Sequence, residues 1–324
     1  MAIPVLDCLR AHFPDAEIIG VLKKNAQGIV RDGPWFNDFI DCEDKSWSGF
    51  KRMVGQIRAL QPDLALVFPN SLRSVMSLWA GRAKRIVGYR ANGRSLLLTG
   101  GPTVTRVDGH KKAIPMVEYY WEIGRWLGIT SDRPGVPHLH VGPDLCRRAA
   151  QVFDAQGIRT KGMVVGFNPG ASFGPSKCWP APHFARLAEM CEQALDAQVM
   201  LLSGPGEEAI VQSILDQTQA NIVSIGPEIA DLEMLKPLVQ RCDLFITNDT
   251  GPRHYAVAFQ VPTVVIMGPT DPDYTNMNLD KSIVIRKELD CSPCHKKICP
   301  TDHRCMNTIA PAEVLAAGKK LLEI

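Results

Sequence analysis

The sequence predicts two α/β domains with largely parallel sheets. Short apolar runs alternate along the chain with helical periodicity, which is the pattern of βα units. A length of 324 residues is enough for two domains that each bury a core. The stretch TSDRPGVPHLHVGPDL (130–145) has three prolines, two glycines and no sustained period, and reads as the connection between domains at 1–142 and 143–324. Open α/β sheets take ligands at the carboxyl ends of their strands, so two such domains facing each other make a cleft.

In chain order, AIPVLDCLRAHF (2–13) places Ile3, Leu6, Leu9 and Phe13 on one side of an amphipathic helix. EIIGVL (17–22), DLALVF (63–68) and RIVGY (85–89) read as strands, with helices over 48–60 and 112–127. A doubly wound domain normally opens with a strand whose loop feeds its first helix. The helix-first order therefore predicts a first domain short of its amino-terminal strand. In the second half, MVVGF (163–167), QVMLLS (198–203), NIVSI (221–225), DLFITN (243–248) and TVVIM (263–267) read as strands. After Pro182, Phe184, Leu187, Ala188, Cys191 and Leu195 recur at helical spacing while Arg186, Glu189 and Glu192 face water. Further helices are expected over 206–217, 231–241 and 312–322.

Thirty-six Lys and Arg against 34 Asp and Glu leave a formal charge of +2. This argues against a general nucleic-acid binder, whose affinity needs clustered, uncompensated cations. With 45% hydrophobic and 22% charged residues the composition excludes a disordered chain. No apolar run approaches the ~20 residues of a membrane-spanning helix; LALVF (64–68) and TVVIM (263–267) have strand length. One stretch departs from neutrality: between Leu72 and Lys112 nine basic residues, Arg73, Arg90 and Arg94 among them, accompany a single acidic one, Asp108. It is either a solvated basic face or an anion-binding surface. The ten cysteines, in a chain of this size without a secretory signal, suit reduced thiols of the cytosol better than a disulfide framework.

Two motifs carry chemistry. NPGASFGPSKCWP (168–180) lies between the strand MVVGF and a helix. Its glycines allow close approach of a ligand, the helix start offers free N–H groups, Ser172 adds a hydroxyl and Lys177 a full positive charge. That combination suits a phosphate, although a strand-to-helix turn with a surface lysine explains the same residues. It is not a Walker loop, because Lys177 does not follow a glycine. TNDTGPRHYAVA (247–258) follows the strand DLFIT and opens a helix. Asp249 or Thr250 can cap that helix, Gly251 permits close approach and Pro252 is tolerated in a first turn. A well-capped helix accounts for much of this motif but not for His254, one turn inside it. Two phosphate-friendly helix starts on one sheet describe a nucleotide-diphosphate site.

These two motifs, the second extended to TNDTGPRHYAVAFQVPTVVIMGPTDP (247–272), together with CSPCHKKICPTDHRCM (291–306), resemble the ADP-heptose:lipopolysaccharide heptosyltransferases of glycosyltransferase family nine. NSLRSVMSLWAGRAKRIVGYRANGRSLLLT (70–99) is similar to the heptosyltransferase II branch in particular. The resemblance spans most of the chain and implies a GT-B fold. In that fold two Rossmann-like domains bind acceptor (first) and ADP-sugar (second), with inversion at the anomeric carbon and neither cofactor nor metal. It implies that Ser172 and Lys177 contact the donor diphosphate, that Asp249, Thr250 and Gly251 line the donor site with His254 nearby, and that Glu208 reaches the nucleoside. A charge in the first turn of a helix explains Glu208 equally well. Asp271-Pro272-Asp273 has the DxD form of metal-dependent glycosyltransferases, but lies in a GPTDP stretch ordinary for the resembled family and reads as a turn.

The implied reaction is transfer of L-glycero-D-manno-heptose from ADP-heptose to the lipopolysaccharide inner core. Its expected place is the cytoplasmic face of the inner membrane, with peripheral membrane contact. The implied acceptor carries Kdo carboxylates and lipid A phosphates, which Arg73, Arg90 and Arg94 would meet. In the family a strand and a Gly-Asp loop precede the residues matching Met1 to Pro4, and that loop's Asp is the usual candidate for general base. The resemblance therefore places the base outside residues 1–324, through a start assigned downstream, a truncation or a loss. The alternatives are another ADP- or UDP-sugar transferase or epimerase of the same fold, or an inactive nucleotide-sugar-binding protein. Cys291, Cys294, Cys299 and Cys305, with His295 and His303 interleaved, fit reduced thiols ordering a loop, a labile disulfide, or a structural zinc.

Overall fold

The computed structural model describes residues 1–43, 45–130 and 132–324. The chain divides into two compact units, Met1–Pro137 with Asp273–Met277, and His138–Pro272 with Asn278–Ile324.

The first unit runs α1 (Ile3–His12), β1 (Ile19–Leu22), α2 (Lys24–Val30), β2 (Asp38–Asp41), α3 (Trp47–Leu60), β3 (Leu64–Val67), α4 (Leu72–Ala80), β4 (Arg85–Gly88), the hairpin β5 (Arg106–Val107) to β6 (His110–Lys111), and α5 (Met116–Leu127). β1 pairs with β2 and β3 with β4, both in parallel, and among the described residues no ladder joins the two pairs. α3 packs Phe50, Met53, Val54 and Ile57 beside Ile40 of β2, while Val67, Val75 and Ile86 form a second small core under α4.

The second unit runs α6 (Pro143–Ala155), β7 (Val164–Asn168), α7 (Ala181–Leu195), β8 (Gln198–Leu202), α8 (Glu208–Leu215), β9 (Ile222–Ile225), α9 (Leu235–Gln240), β10 (Leu244–Asn248), α10 (Pro252–Ala258), β11 (Thr263–Met267), β12 (Ser282–Arg286), α11 (Arg304–Asn307) and α12 (Pro311–Leu322). Its six strands form one parallel sheet in the order β12-β11-β10-β7-β8-β9. β7, β8, β10 and β11 are buried at every position, which is why they read as unbroken apolar runs: helices cover both faces. α7 lays Phe184, Leu187, Ala188 and Cys191 on the sheet, and α12 adds Val314 and Leu315; each large side chain so buried contributes ~1.5–3 kcal/mol. The chain moves outward from β7 to β9, then returns to β10 on the other side of β7. The strand order thus reverses between β7 and β10, and such a switch point is where open α/β sheets form their ligand crevice.

Eight elements were not expected from the sequence: α2, β2, α4, β5, β6, α6, β12 and α11. α4 exposes Leu72, Met76 and Trp79 while burying Val75 and Ser77, so its apolar residues do not mark its inner face. Its one legible signal is the cap, in which Ser71 Oγ accepts from Ser74 N at 3.1 Å. α6 starts on Pro143 inside the stretch read as a connection, because proline fits a first helical turn. The helix expected over 112–127 begins only at Met116, after Pro115, since the residue before a proline avoids helical angles.

Candidate active site

The two chemistry-bearing loops leave the ends of β7 and β10, the strands flanking the switch point. Asn168 and Thr247 are register partners there. Asn168 Oδ1 accepts from Thr247 Oγ1 at 3.2 Å and from Thr250 Oγ1 at 3.0 Å, and its Nδ2 donates to Leu202 O at 3.2 Å. Asn248 Nδ2 donates to Pro169 O at 2.6 Å while its Oδ1 accepts from Trp179 N at 3.1 Å. Two buried asparagines therefore splice the loops together with their polar groups satisfied.

Lys177 ends a single 3-10 turn, Pro175–Lys177. Its ammonium donates to Asp249 O at 2.8 Å and to Asp249 Oδ2 at 3.0 Å. The other carboxylate oxygen accepts from Arg253 Nη1 at 2.7 Å, and Thr270 Oγ1 donates to Oδ2 at 2.7 Å. Burial alone would raise the Asp249 pKa, but the charges of Lys177 and Arg253 and the Thr270 hydrogen bond outweigh it and hold the carboxyl at about 2. Asp249 is thus an ionised anchor that aims Lys177. An ammonium has three N–H donors, so one remains for a phosphate oxygen.

Around this pair the expected residues are placed unequally. Thr250 is fixed to Asn168, and a Cβ on Gly251 would meet nothing within 4 Å, so the space over that glycine is open. His254 is partly buried in α10; burial, then the charge of Arg253, pulls its pKa well below 6.5, leaving it neutral at neutral pH. Ser172 is exposed on its turn. Glu208 is exposed at the start of α8 and accepts from Gly206 N at 3.1 Å, the helix-start role that the dipole explains. Its neighbour Glu207 is the carboxylate that meets the loop. Glu207 accepts from Gly204 N at 2.8 Å, and its carboxyl carbon lies 1.8 Å from where a Cβ on Gly170 would sit, so a side chain at position 170 would displace the Glu207 carboxylate. Sequence reasoning passed over Arg253, Thr270 and Asn168. For Arg253 a signal existed, its i,i+4 spacing from Asp249.

In the first unit a pocket of about 210 Å³ is lined by Asn70, Arg90, Asn92, Arg106, Lys111 and Tyr119, among others. Its lining includes three cations and no carboxylate, a charge balance that favours an anion. Lys111 Nζ lies 4.6 Å from the Tyr119 ring centroid. Of the three arginines expected to meet an acceptor, only Arg90 lines this pocket. Arg94 is fully buried, and its guanidinium donates to Tyr89 O at 3.0 Å, to Pro69 O and to Asn70 Oδ1 at 2.8 Å. Asn70 in turn donates to Tyr119 Oη at 2.6 Å. Arg94 therefore builds the pocket from behind and does not face a ligand. Arg73 is exposed on α4, its guanidinium 5.5 Å from the Phe50 ring, and is not among the pocket's lining residues.

All ten cysteines are free thiols. Among the described residues no three His, Cys, Asp or Glu side chains group so as to hold a metal ion, Cys291, Cys294, Cys299 and Cys305 included. Pro272–Tyr274 forms a 3-10 turn. Among the described residues no helix is long and apolar enough to cross a membrane.

A model of glycosyltransferase family 9 (heptosyltransferase) matches residues 50–304. The chain is 33% identical over 330 residues to the lipooligosaccharide heptosyltransferase 2 of Campylobacter jejuni, covering 100% of this chain and 94% of that protein. It is 30% identical over 294 residues to the lipopolysaccharide heptosyltransferase 2 of Escherichia coli K12, covering 86% and 81%. The solved ADP-heptose lipopolysaccharide heptosyltransferase II of E. coli superposes with a TM-score of 0.81 at 24% identity, covering 99% and 94%. The family 9 glycosyltransferase of Veillonella parvula superposes with 0.85 at 22%, covering 99% and 92%. At those identities the superpositions speak for the fold.

Proposed function

The chain belongs to glycosyltransferase family 9, the heptosyltransferases, and from that premise we propose that it moves L-glycero-D-manno-heptose from ADP-heptose to an anionic lipopolysaccharide inner core, working at the cytoplasmic face of the inner membrane. The observation that carries the donor half is Lys177, fixed by Asp249 at the switch point of the second unit's sheet. Departure of ADP builds negative charge on the β-phosphate, and a pre-aimed ammonium stabilises that charge where it develops. Asp249 does not need to touch the donor. Its work is to hold Lys177 in place so that no reorganisation is required during the reaction. Thr250, tied to Asn168, and the open space over Gly251 suit the phosphates and the sugar.

The acceptor half rests on the basic pocket of the first unit. The guanidinium forks of Arg90 and Arg106 match carboxylate or phosphate in a bidentate manner, and Lys111 adds a point charge. The donor reading is tested by titrating the protein with ADP and by following heptose transfer by mass spectrometry. ADP-heptose should be turned over and UDP-sugars should not. Turnover of UDP-sugars in place of ADP-heptose would refute it.

A further inference from the structure

The side chain of Lys177 is aimed by Asp249, but its backbone is fixed from a different quarter. Ser176, the residue before it, is 2% exposed, and all three of its polar groups go to one segment of chain. Its N–H donates to Lys297 O at 3.1 Å, its hydroxyl donates to Lys296 O at 2.5 Å, and its carbonyl accepts from His303 Nε2 at 2.7 Å. Because a carbonyl can only accept, the partner on it assigns the His303 proton to Nε2. The loop lies flush against this segment: Gly174 has φ +149, and a Cβ there would come within 2.6 Å of Lys297 O. The segment is itself tied down, with Cys294 N and His295 N both donating to Pro269 O at 3.1 and 2.8 Å. Pro269 precedes Thr270, the residue that shares the Asp249 carboxylate. His303 sits in the left-handed region at φ 57, uncommon for a residue with a side chain, and its carbonyl accepts from Met306 N and Asn307 N, both at 3.0 Å.

We propose that the 294–303 segment is the brace of the donor site, and that Ser176 and His303 are positioning residues acting on the reaction through Lys177. The proposal rests on the reading of Lys177 as the cation that meets the leaving diphosphate. A group that stabilises charge at one point is sensitive to displacement, and ~1 Å of misplacement can cost up to about a hundredfold in rate. The segment holds the peptides on both sides of Ser176, the N–H of one through Lys297 O and the carbonyl of the other, which leads into Lys177, through His303, and so controls that displacement. The cysteine-rich motif thereby acquires a role that requires no metal.

The test uses His303→Ala, His303→Gln and Ser176→Ala in the full chain, alone and combined with Lys177→Ala. The readouts are kcat, donor and acceptor KM, ADP affinity by calorimetry, and the melting temperature. His303→Ala should lower kcat by roughly 10- to 30-fold and weaken ADP, with acceptor KM unchanged. His303→Gln, whose amide N–H can stand in for Nε2–H, should recover most of the loss. Ser176→Ala keeps the backbone bonds and should cost only about 3-fold. If folding of His303→Ala is compromised, these two milder variants carry the test. In the Lys177→Ala background, His303→Ala should lower kcat no further, because the effect passes through that lysine. Full additivity there, or wild-type kcat in His303→Ala, would overturn the brace while leaving the donor reading intact. Wild-type kcat and ADP affinity in Lys177→Ala would overturn the donor reading, and the brace with it.

Discussion

Removing the Lys177 ammonium separates catalysis from stability in a way that can be calculated beforehand. The side chain is 13% exposed and its carboxylate partner 9% exposed. At 3.0 Å a pair of unit charges attracts by ~5.5 kcal/mol at an effective dielectric of about 20. Desolvation of the two groups takes back most of that, and truncation does not leave Asp249 bare, because Arg253 and Thr270 still hold its oxygens. Lys177→Ala should therefore cost ~2 kcal/mol of folding stability rather than the 3–5 kcal/mol typical of an orphaned buried charge. In a unit of this size that lowers the melting temperature by roughly 4–8 °C. Transition-state stabilisation should suffer more. One lost cation at a developing phosphate charge is worth ~3 kcal/mol, about 150-fold in kcat at saturating ADP-heptose. The assays are thermal unfolding and steady-state transfer on the same preparation. A folded variant with wild-type kcat would refute the role of Lys177. A drop in kcat no larger than that of an equally destabilised core variant would show that the lysine only holds the loop.

The Asp249 carboxyl is held at about 2 against an ordinary 3.8, so its contribution to stability should be fully present above pH ~4 and disappear as pH falls through about 2. Asp249→Asn should be less stable than wild type at pH 7, with the gap closing over that window in urea midpoints; a gap unchanged down to pH 2 would contradict the ion pairs. Neutralising Arg90, Arg106 and Lys111 to Gln should raise acceptor KM and flatten its dependence on salt while ADP affinity stays put. Arg94→Gln should lower thermal stability, because it strips donors from buried carbonyls; an unchanged melting temperature would return Arg94 to the ligand side. Transfer should survive EDTA, the charge at the leaving group being supplied by Lys177. Loss of transfer in a still-folded protein would assign that charge to a metal ion.

The second unit was legible from sequence because its strands are buried on both faces, so β7, β8, β10 and β11 appear as apolar runs that no helix period imitates. The first unit was legible only in part. α2 carries KNAQGIV, whose buried members include Gln27, bonded to Asp41 at 2.7 Å, and no apolar pattern announces a helix packed through an amide. At the site, Lys177 and Asp249 stood out because a glycine-rich turn and a capped helix start are local signals. Their partners Thr270, Ser176 and His303 are brought in by the order of the sheet and by loops far apart in the chain. Arg94 shows the opposite error: a cation in a basic stretch looks like surface until its donors are traced to backbone carbonyls.

The sheets of the two units also imply unequal resistance to local opening. β7 and β10 each have neighbours on both sides within a six-stranded sheet, so their amides are expected to exchange with solvent mainly through unfolding of the whole unit. β1 to β4 form two separate two-stranded ladders, and a two-stranded ladder draws little protection from its own pairing. Slow-exchanging amides should therefore concentrate in β7 and β10, with the ladders opening at lower free energy. ADP held at the switch point would deepen that contrast by mass action on the sheet that carries it. A single melting temperature then describes neither unit well.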